Sequence, residues 1–192
     1  MLSKLREIVG EKHVMTGAQA ERYGAAATGQ YEAAPLAVVR PADATEVSKV
    51  LALANATKTP VVPISGNTGL VGGSYAPDGI MISLERLNAI REIRPDSRIA
   101  IVEAGVILSK LHEAAGEQDM VFPLTFGARG SAMIGGNLST NAGGSNVVRY
   151  GSTRALCLGI EVVLPDGRIM DLMSELHKDN SGYALKDLYI GS

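Results

Sequence analysis

Apolar positions along the chain fall into alternating helix and strand registers, and two long stretches follow neither. Leu2, Leu5, Ile8 and Val9 share one helical face, and Gly10 is a natural stop, so a short N-terminal helix docking on the body is predicted. Residues 17–35, rich in alanine and glycine, read as a connection that orders on docking, with Tyr23 and Tyr31 as packing residues. Leu36–Arg40 reads as a strand ended by Pro41. Asp43-Ala44-Thr45-Glu46 then has the form of a capping box. Val47, Val50, Leu51 and Ala54 keep to one face, which carries that helix to about Thr57. Val61–Ile64 is the next strand, completing a βαβ unit whose strand ends are where ligands collect.

Three short strand candidates follow at Gly79–Ser83, Ile90–Ile93 and Ile99–Glu103, and then a helix over Ser109–Gln118. His112 lies on that helix without neighbours suited to ligation, so it reads as packing or exposed. Leu158–Leu164 and Arg168–Leu172 flank Pro165-Asp166-Gly167, and Asp-Gly between β runs predicts a hairpin. The order of elements is α+β: a βαβ lobe, then a lobe with more antiparallel pairing.

The two irregular stretches carry the candidate chemistry. In the first, the strand Pro60–Ile64 turns at once into Ser65-Gly66-Asn67-Thr68-Gly69-Leu70-Val71-Gly72-Gly73. A loop so rich in glycine can bring several backbone N–H groups to one anion, usually a phosphate; an unliganded surface loop would use glycines too. It has neither the Gly-Lys-Ser/Thr of a nucleoside triphosphate loop nor Gly-x-Gly-x-x-Gly opening a helix. The second stretch, Phe122–Ser145, mixes glycine and asparagine with apolar residues and almost no charge, which is unlike a solvated linker. If it is helical around Asn137 and Asn141, both amides face one side; the alternative is that they cap local turns. Arg129 is its one cation, equally suited to an anion or to a surface salt bridge.

Pro-Ile-Ser-Gly-Asn-Thr-Gly-Leu-Val-Gly-Gly followed by Gly-Ala-Arg-Gly-Ser-Ala-Met-Ile-Gly-Gly-Asn-Leu-Ser-Thr-Asn-Ala-Gly-Gly resembles the FAD-binding domain of the vanillyl-alcohol oxidase / p-cresol methylhydroxylase superfamily. The likeness runs over about residues 36–192 and is strongest to the D-2-hydroxy-acid dehydrogenase branch: D-lactate dehydrogenases, the glycolate oxidase FAD subunit and D-2-hydroxyglutarate dehydrogenases. It implies a two-lobed α+β domain with FAD extended between the lobes. The segment 1–35 precedes a first lobe of about 36–100 and a second, incomplete lobe of about 101–192.

The resemblance places Pro63, Ser65, Gly66, Asn67, Thr68, Gly69, Leu70, Val71, Gly72 and Gly73 at the cofactor, with the loop on its pyrophosphate. Pro123, Leu124, Gly127, Gly130 and Ser131 would supply the other side. Ile134, Gly135, Gly136, Asn137, Thr140, Asn141, Gly143, Gly144, Tyr150 and Gly151 would complete it towards ribityl and ring. Members of the superfamily often tether flavin through a histidine of the first loop. His13, His112 and His177 all lie outside it, so non-covalent FAD is expected.

By the same resemblance the parent enzyme passes hydride from a small 2-hydroxy acid to flavin N5 and then to an electron acceptor, with no metal ligand in this part and a homodimer as a candidate assembly. A glutamate-containing flavin motif and a substrate-binding cap would follow Ser192, so residues 1–192 alone are expected to be inactive and to hold FAD weakly. Other readings are a flavoenzyme of the aldonolactone oxidase or UDP-N-acetylenolpyruvoylglucosamine reductase type, or a non-catalytic FAD- or nucleotide-binding subunit. The wording of the first loop argues against the former.

Composition narrows the remainder. With 192 residues, 46% of them hydrophobic, and a net charge of -2, there is material for one ordinary core or two small ones and no electrostatic case for nucleic acid. No apolar run approaches a membrane span, and Met1–Gly10 is too charged for a secretory segment, so a cytoplasmic location is the default expectation. Cys157, the single cysteine, sits in the apolar run Ala155–Leu158 and reads as core.

Overall fold

The predicted N-terminal helix forms as α1 (Leu2–Val9) and stops where Gly10 takes φ 86°, its N–H closing back on the Arg6 carbonyl. Leu5 and Val9 are the residues it buries, each stabilising the docked helix by roughly 1.5–3 kcal/mol relative to exposure. The computed structural model describes residues 1–25 and 29–192, which divide into two compact units. One comprises Met1–Leu87 with Val163–Ile169, the other Asn88–Val162 with Met170–Ser192.

In the first unit α1 is followed by β1 (Val14–Met15), α2 (Ala18–Glu21), β2 (Ala37–Val39), α3 (Ala44–Thr57), β3 (Val61–Ile64) and β4 (Ile80–Ser83). The sheet order is β1-β2-β4-β3, with β1 antiparallel to β2, and β2 and β3 both parallel to β4. Thus β4 comes between the two strands of the predicted βαβ unit. That leaves β3 at the sheet edge, where Pro63 costs no ladder hydrogen bond.

The cap of α3 forms as predicted at Asp43, whose carboxylate accepts the Glu46 N–H at 2.8 Å. Glu46 reaches back one residue further than a standard box, accepting the Ala42 N–H at 2.7 Å. Both faces of the sheet are covered. Val39, Ile80 and Ile82 pack with α1 and α3 residues, while Val38, Met81 and Ile64 pack with Met15, Ala20 and Tyr23. Cover on both sides is why these strands read as continuous apolar runs rather than alternating ones.

The second unit opens with the antiparallel pair β5 (Ile90–Arg94) and β6 (Ile99–Val102), followed by α4 (Leu108–Gly116). Short helices α5 (Ile134–Ser139), α6 (Val147–Tyr150) and α7 (Thr153–Leu156) then punctuate the glycine-rich stretch. Its core gathers Val106, Leu108 and Leu111 with Leu124 and Ile134. The predicted Asp-Gly hairpin closes between β7 (Ile160–Val163) and β8 (Ile169–Leu172), with Gly167 at φ 90°. The hairpin tip belongs to the first unit, where the Ser48 hydroxyl of α3 donates to the Gly167 carbonyl. Cys157 is half-buried, and burial pushes its thiol pKa up, in keeping with a packing role.

Candidate functional site

The loop leaving β3 is held open by its own short contacts. Asn67 takes the left-handed conformation at φ 48°, and its amide is engaged at both ends. Nδ2 donates to the Ala25 carbonyl at 2.7 Å, and Oδ1 accepts from the Ser74 hydroxyl at 2.7 Å. Gly72 turns at φ 69°, where only glycine is at ease, and its carbonyl accepts the Tyr75 N–H at 3.1 Å. Between these ties, none of the N–H groups from Gly66 to Gly73 donates to a protein acceptor among the described residues. A Cβ added at Gly69 or Gly73 would meet open space. Successive unengaged N–H groups at the carboxyl end of a strand can form a concavity suited to an anion, and the side chains at the loop tip, Leu70 and Val71, are uncharged and exposed.

The second stretch is packed differently. Segment 123–126 lies against 143–146. The Asn146 amide donates to the Pro123 carbonyl at 3.0 Å, Ser145 N–H donates to Thr125 O at 3.2 Å, and a Cβ on Gly144 would fall 1.9 Å from that same Thr125 oxygen. Leu124 and Ile134 turn their side chains into the core. The Leu124 carbonyl is 2.8 Å from His112 Nε2, and Ile134 N–H donates to Val106 O at 2.9 Å. Gly127 and Gly130 bound a short 3-10 turn, both with open space at their Cβ positions, and Ser131 follows, exposed. Tyr150 is half-exposed at the end of α6, and Gly151 turns at φ 83°.

Asn137 and Asn141 do not share a helical face, because α5 ends at Ser139 and Asn141 stands beyond it at φ 47°. The back-bonding hydroxyls of Ser139 and Thr140, which donate to Gly135 O and Gly136 O, mark that end. Asn141 Oδ1 caps the Arg154 N–H at 2.9 Å, so the turn-capping alternative describes this residue. Asn137 is only 4% exposed and its Nδ2 has no hydrogen-bond partner among the described residues. A buried donor left unsatisfied costs about 1–3 kcal/mol, which makes this amide a candidate for a ligand acceptor. In the same unit a cavity of about 440 Å³ is lined by Asn141, Arg154, Cys157, His177, Lys186 and Asp187.

Ser74 and Tyr31 belong to the first loop's architecture although neither was singled out for it from the sequence. Ser74 directly follows Gly73, a position from which a hydroxyl reaches back across the loop, and that adjacency was the available signal. Tyr31 carried no signal, since its contact with Gly72 spans about forty residues of chain. Among the described residues no group of three or more His, Cys, Asp or Glu could hold a metal ion, and no helix is long and apolar enough to cross a membrane.

A parallel strand running into a glycine-rich loop whose N–H groups have no acceptor among the described residues, in a mixed α+β chain, is the arrangement in which strand-end anion sites are built. Residues 35–173 match the family described as FAD binding domain, and the chain belongs to that family. It is 44% identical over 176 residues to a D-2-hydroxyglutarate dehydrogenase of Xanthomonas citri pv. viticola, covering 91% of this chain and 37% of the relative. It is 40% identical over 195 residues to the mitochondrial D-2-hydroxyglutarate dehydrogenase of Arabidopsis thaliana, covering 100% of this chain and 34% of the relative. Among solved structures it resembles p-cresol methylhydroxylase with substrate bound, with a TM-score of 0.68 and 25% identity over 88% of this chain and 34% of that one. The fold is therefore the FAD-binding fold of the p-cresol methylhydroxylase type, and the chain spans little more than a third of the length of these relatives.

The residues present fit FAD. A dinucleotide presents a doubly charged pyrophosphate, which the N–H groups of Gly66–Gly73 can offset without a lysine or arginine.

Proposed function

We propose that the full-length protein oxidises a D-2-hydroxy acid of the D-2-hydroxyglutarate, D-lactate or glycolate class, and that this chain is its FAD-binding portion. The observation that carries the reading is the run of unengaged N–H groups from Gly66 to Gly73, joined to the likeness to D-2-hydroxyglutarate dehydrogenases. When bound, FAD supplies the hydride acceptor. The protein's part here is binding and orientation. The loop N–H groups of Ser65–Gly73 neutralise pyrophosphate charge, and the Thr68 hydroxyl adds a donor. Asn137 Nδ2 offers its free N–H to a polar atom of the cofactor, and the small residues Gly127, Gly130, Gly135, Gly136 and Gly143 let backbone lie close to it. Asn67 acts through the loop, because its amide already bonds to Ala25 and Ser74.

Flavin is held non-covalently in this reading, since no histidine lies in the loop 65–73. The purified full-length protein is expected to be yellow, to release its flavin into the supernatant on acid precipitation, and to reduce an artificial dye with a D-2-hydroxy acid but not with the L-enantiomer. Absence of turnover on D-2-hydroxyglutarate, D-lactate and glycolate alike overturns the reading, and flavin retained in the pellet overturns its non-covalent part.

The physiological electron acceptor is left to a screen of quinones and electron-transfer proteins. A homodimer and a cytoplasmic location complete the proposal. Light scattering tests the first. For the second, the Arabidopsis relative's name includes a mitochondrial location, so fractionation of the source cells decides it.

A further inference from the structure

The residues that grip the glycine loop from outside lie before residue 35, where the match to the FAD binding domain begins. Ala25 offers its carbonyl to Asn67 Nδ2 at 2.7 Å. Tyr31 lays its ring against Gly72: a Cβ built on that glycine would come within 2.9 Å of Tyr31 Cδ2 and 3.1 Å of Cγ, so the glycine's own hydrogen faces the ring. Tyr75, just past the loop, meets Tyr31 edge-on, with ring centroids 6.2 Å apart at 62°. Ala25 and Glu32 are themselves held together by an antiparallel bridge, and Ala33 N–H donates to Gly24 O at 3.2 Å. Both positively turned residues of the loop, Asn67 at φ 48° and Gly72 at φ 69°, are touched by this segment.

We infer that Tyr31 and the Ala25 carbonyl form a brace that presets the phosphate loop, which makes Tyr31 a positioning residue for cofactor binding. The inference rests on the reading of Ser65–Gly73 as a pyrophosphate cradle. The loop's own ties, Ser74 to Asn67 and Tyr75 to Gly72, sit at its two ends, and between them its tip residues Leu70 and Val71 are 68% and 81% exposed. Without external ties it samples many conformations, and a ligand that needs one of them must then bear the ordering cost on binding. The ring acts by its face alone. The Tyr31 hydroxyl has no hydrogen-bond partner among the described residues, so phenylalanine supplies the same contact.

The test titrates FAD into flavin-stripped full-length protein and follows flavin fluorescence, for wild type, Tyr31→Phe, Tyr31→Ala and Asn67→Gly. Asn67→Gly keeps the left-handed backbone and removes the ties to Ala25 and Ser74. Tyr31→Phe should bind as wild type, while Tyr31→Ala and Asn67→Gly should each raise Kd about tenfold, with an apoprotein melting temperature close to that of wild type. A Kd for Tyr31→Ala within about threefold of wild type, or equal loss in Tyr31→Phe, overturns the brace. If Tyr31→Ala does not fold, Asn67→Gly decides alone, and unchanged affinity there overturns it as well. Wild-type protein that binds no FAD sinks the underlying reading instead, a result distinct from either.

Discussion

Glycines in the two rich stretches face different surroundings. In the loop after β3, Gly69 and Gly73 look into open space and the N–H groups around them have no acceptor among the described residues, whereas in the second stretch Gly144 has Thr125 oxygen where a Cβ would go. The first set keeps backbone available to something outside the protein. The second lets one segment of backbone lie on another. Glycine thus serves access at Gly69 and Gly73 and close packing at Gly144, and the difference is visible in what each missing side chain would have touched.

The comparison breaks most sharply at Gly144. An alanine there drives its methyl into Thr125, so Gly144→Ala is expected to destabilise the chain by about 3 kcal/mol, read as a fall in melting temperature or loss of soluble protein. A melting curve indistinguishable from wild type would show that the second stretch is looser than described. Asn137→Leu comes next and separates fold from function. Removing the orphaned buried amide should stabilise the apoprotein by about 1 kcal/mol in denaturant unfolding while weakening FAD binding, and a loss of both would make Asn137 a structural residue.

Acid should distinguish the units. His13 is held below its ordinary pKa by burial first, and then by Arg86, Arg40 and Lys12, against the opposing pull of Glu46. The unfolded chain therefore takes up the proton more readily than the folded one. The stability tied to the neutral ring is present above the ordinary histidine range and is lost as pH falls below it. Lowering pH from about 7.5 to 5.5 should loosen exchange protection around β1 and β2 more in the parent than in His13→Gln, and equal sensitivity would remove His13 from the account. The smallest effect is expected at Gly73→Ala, which should shift stability by no more than about 0.5 kcal/mol because nothing lies within 4 Å of the added methyl.

Much of the architecture was legible in the chain because its signals are local. The Gly10 stop, the Asp43 cap, the helix ending at Thr57 and the Asp-Gly hairpin each follow from residues a few positions apart. The helical reading of Asn137 and Asn141 failed for the same reason in reverse. Spacing alone does not show where a helix stops, and α5 stops at Ser139, in a run weakened by Gly135 and Gly136.

By itself the sequence determined the periodic elements, the two glycine-rich stretches and the family wording they carry, since these depend on short-range sterics, capping and burial period. Tertiary structure decided which strand lies between which, that β4 separates β2 from β3, that Asn67 spends its amide on Ala25 and Ser74, and that Tyr31 backs Gly72. Those contacts join residues tens of positions apart, and only the packing of the whole unit determines which distant groups meet.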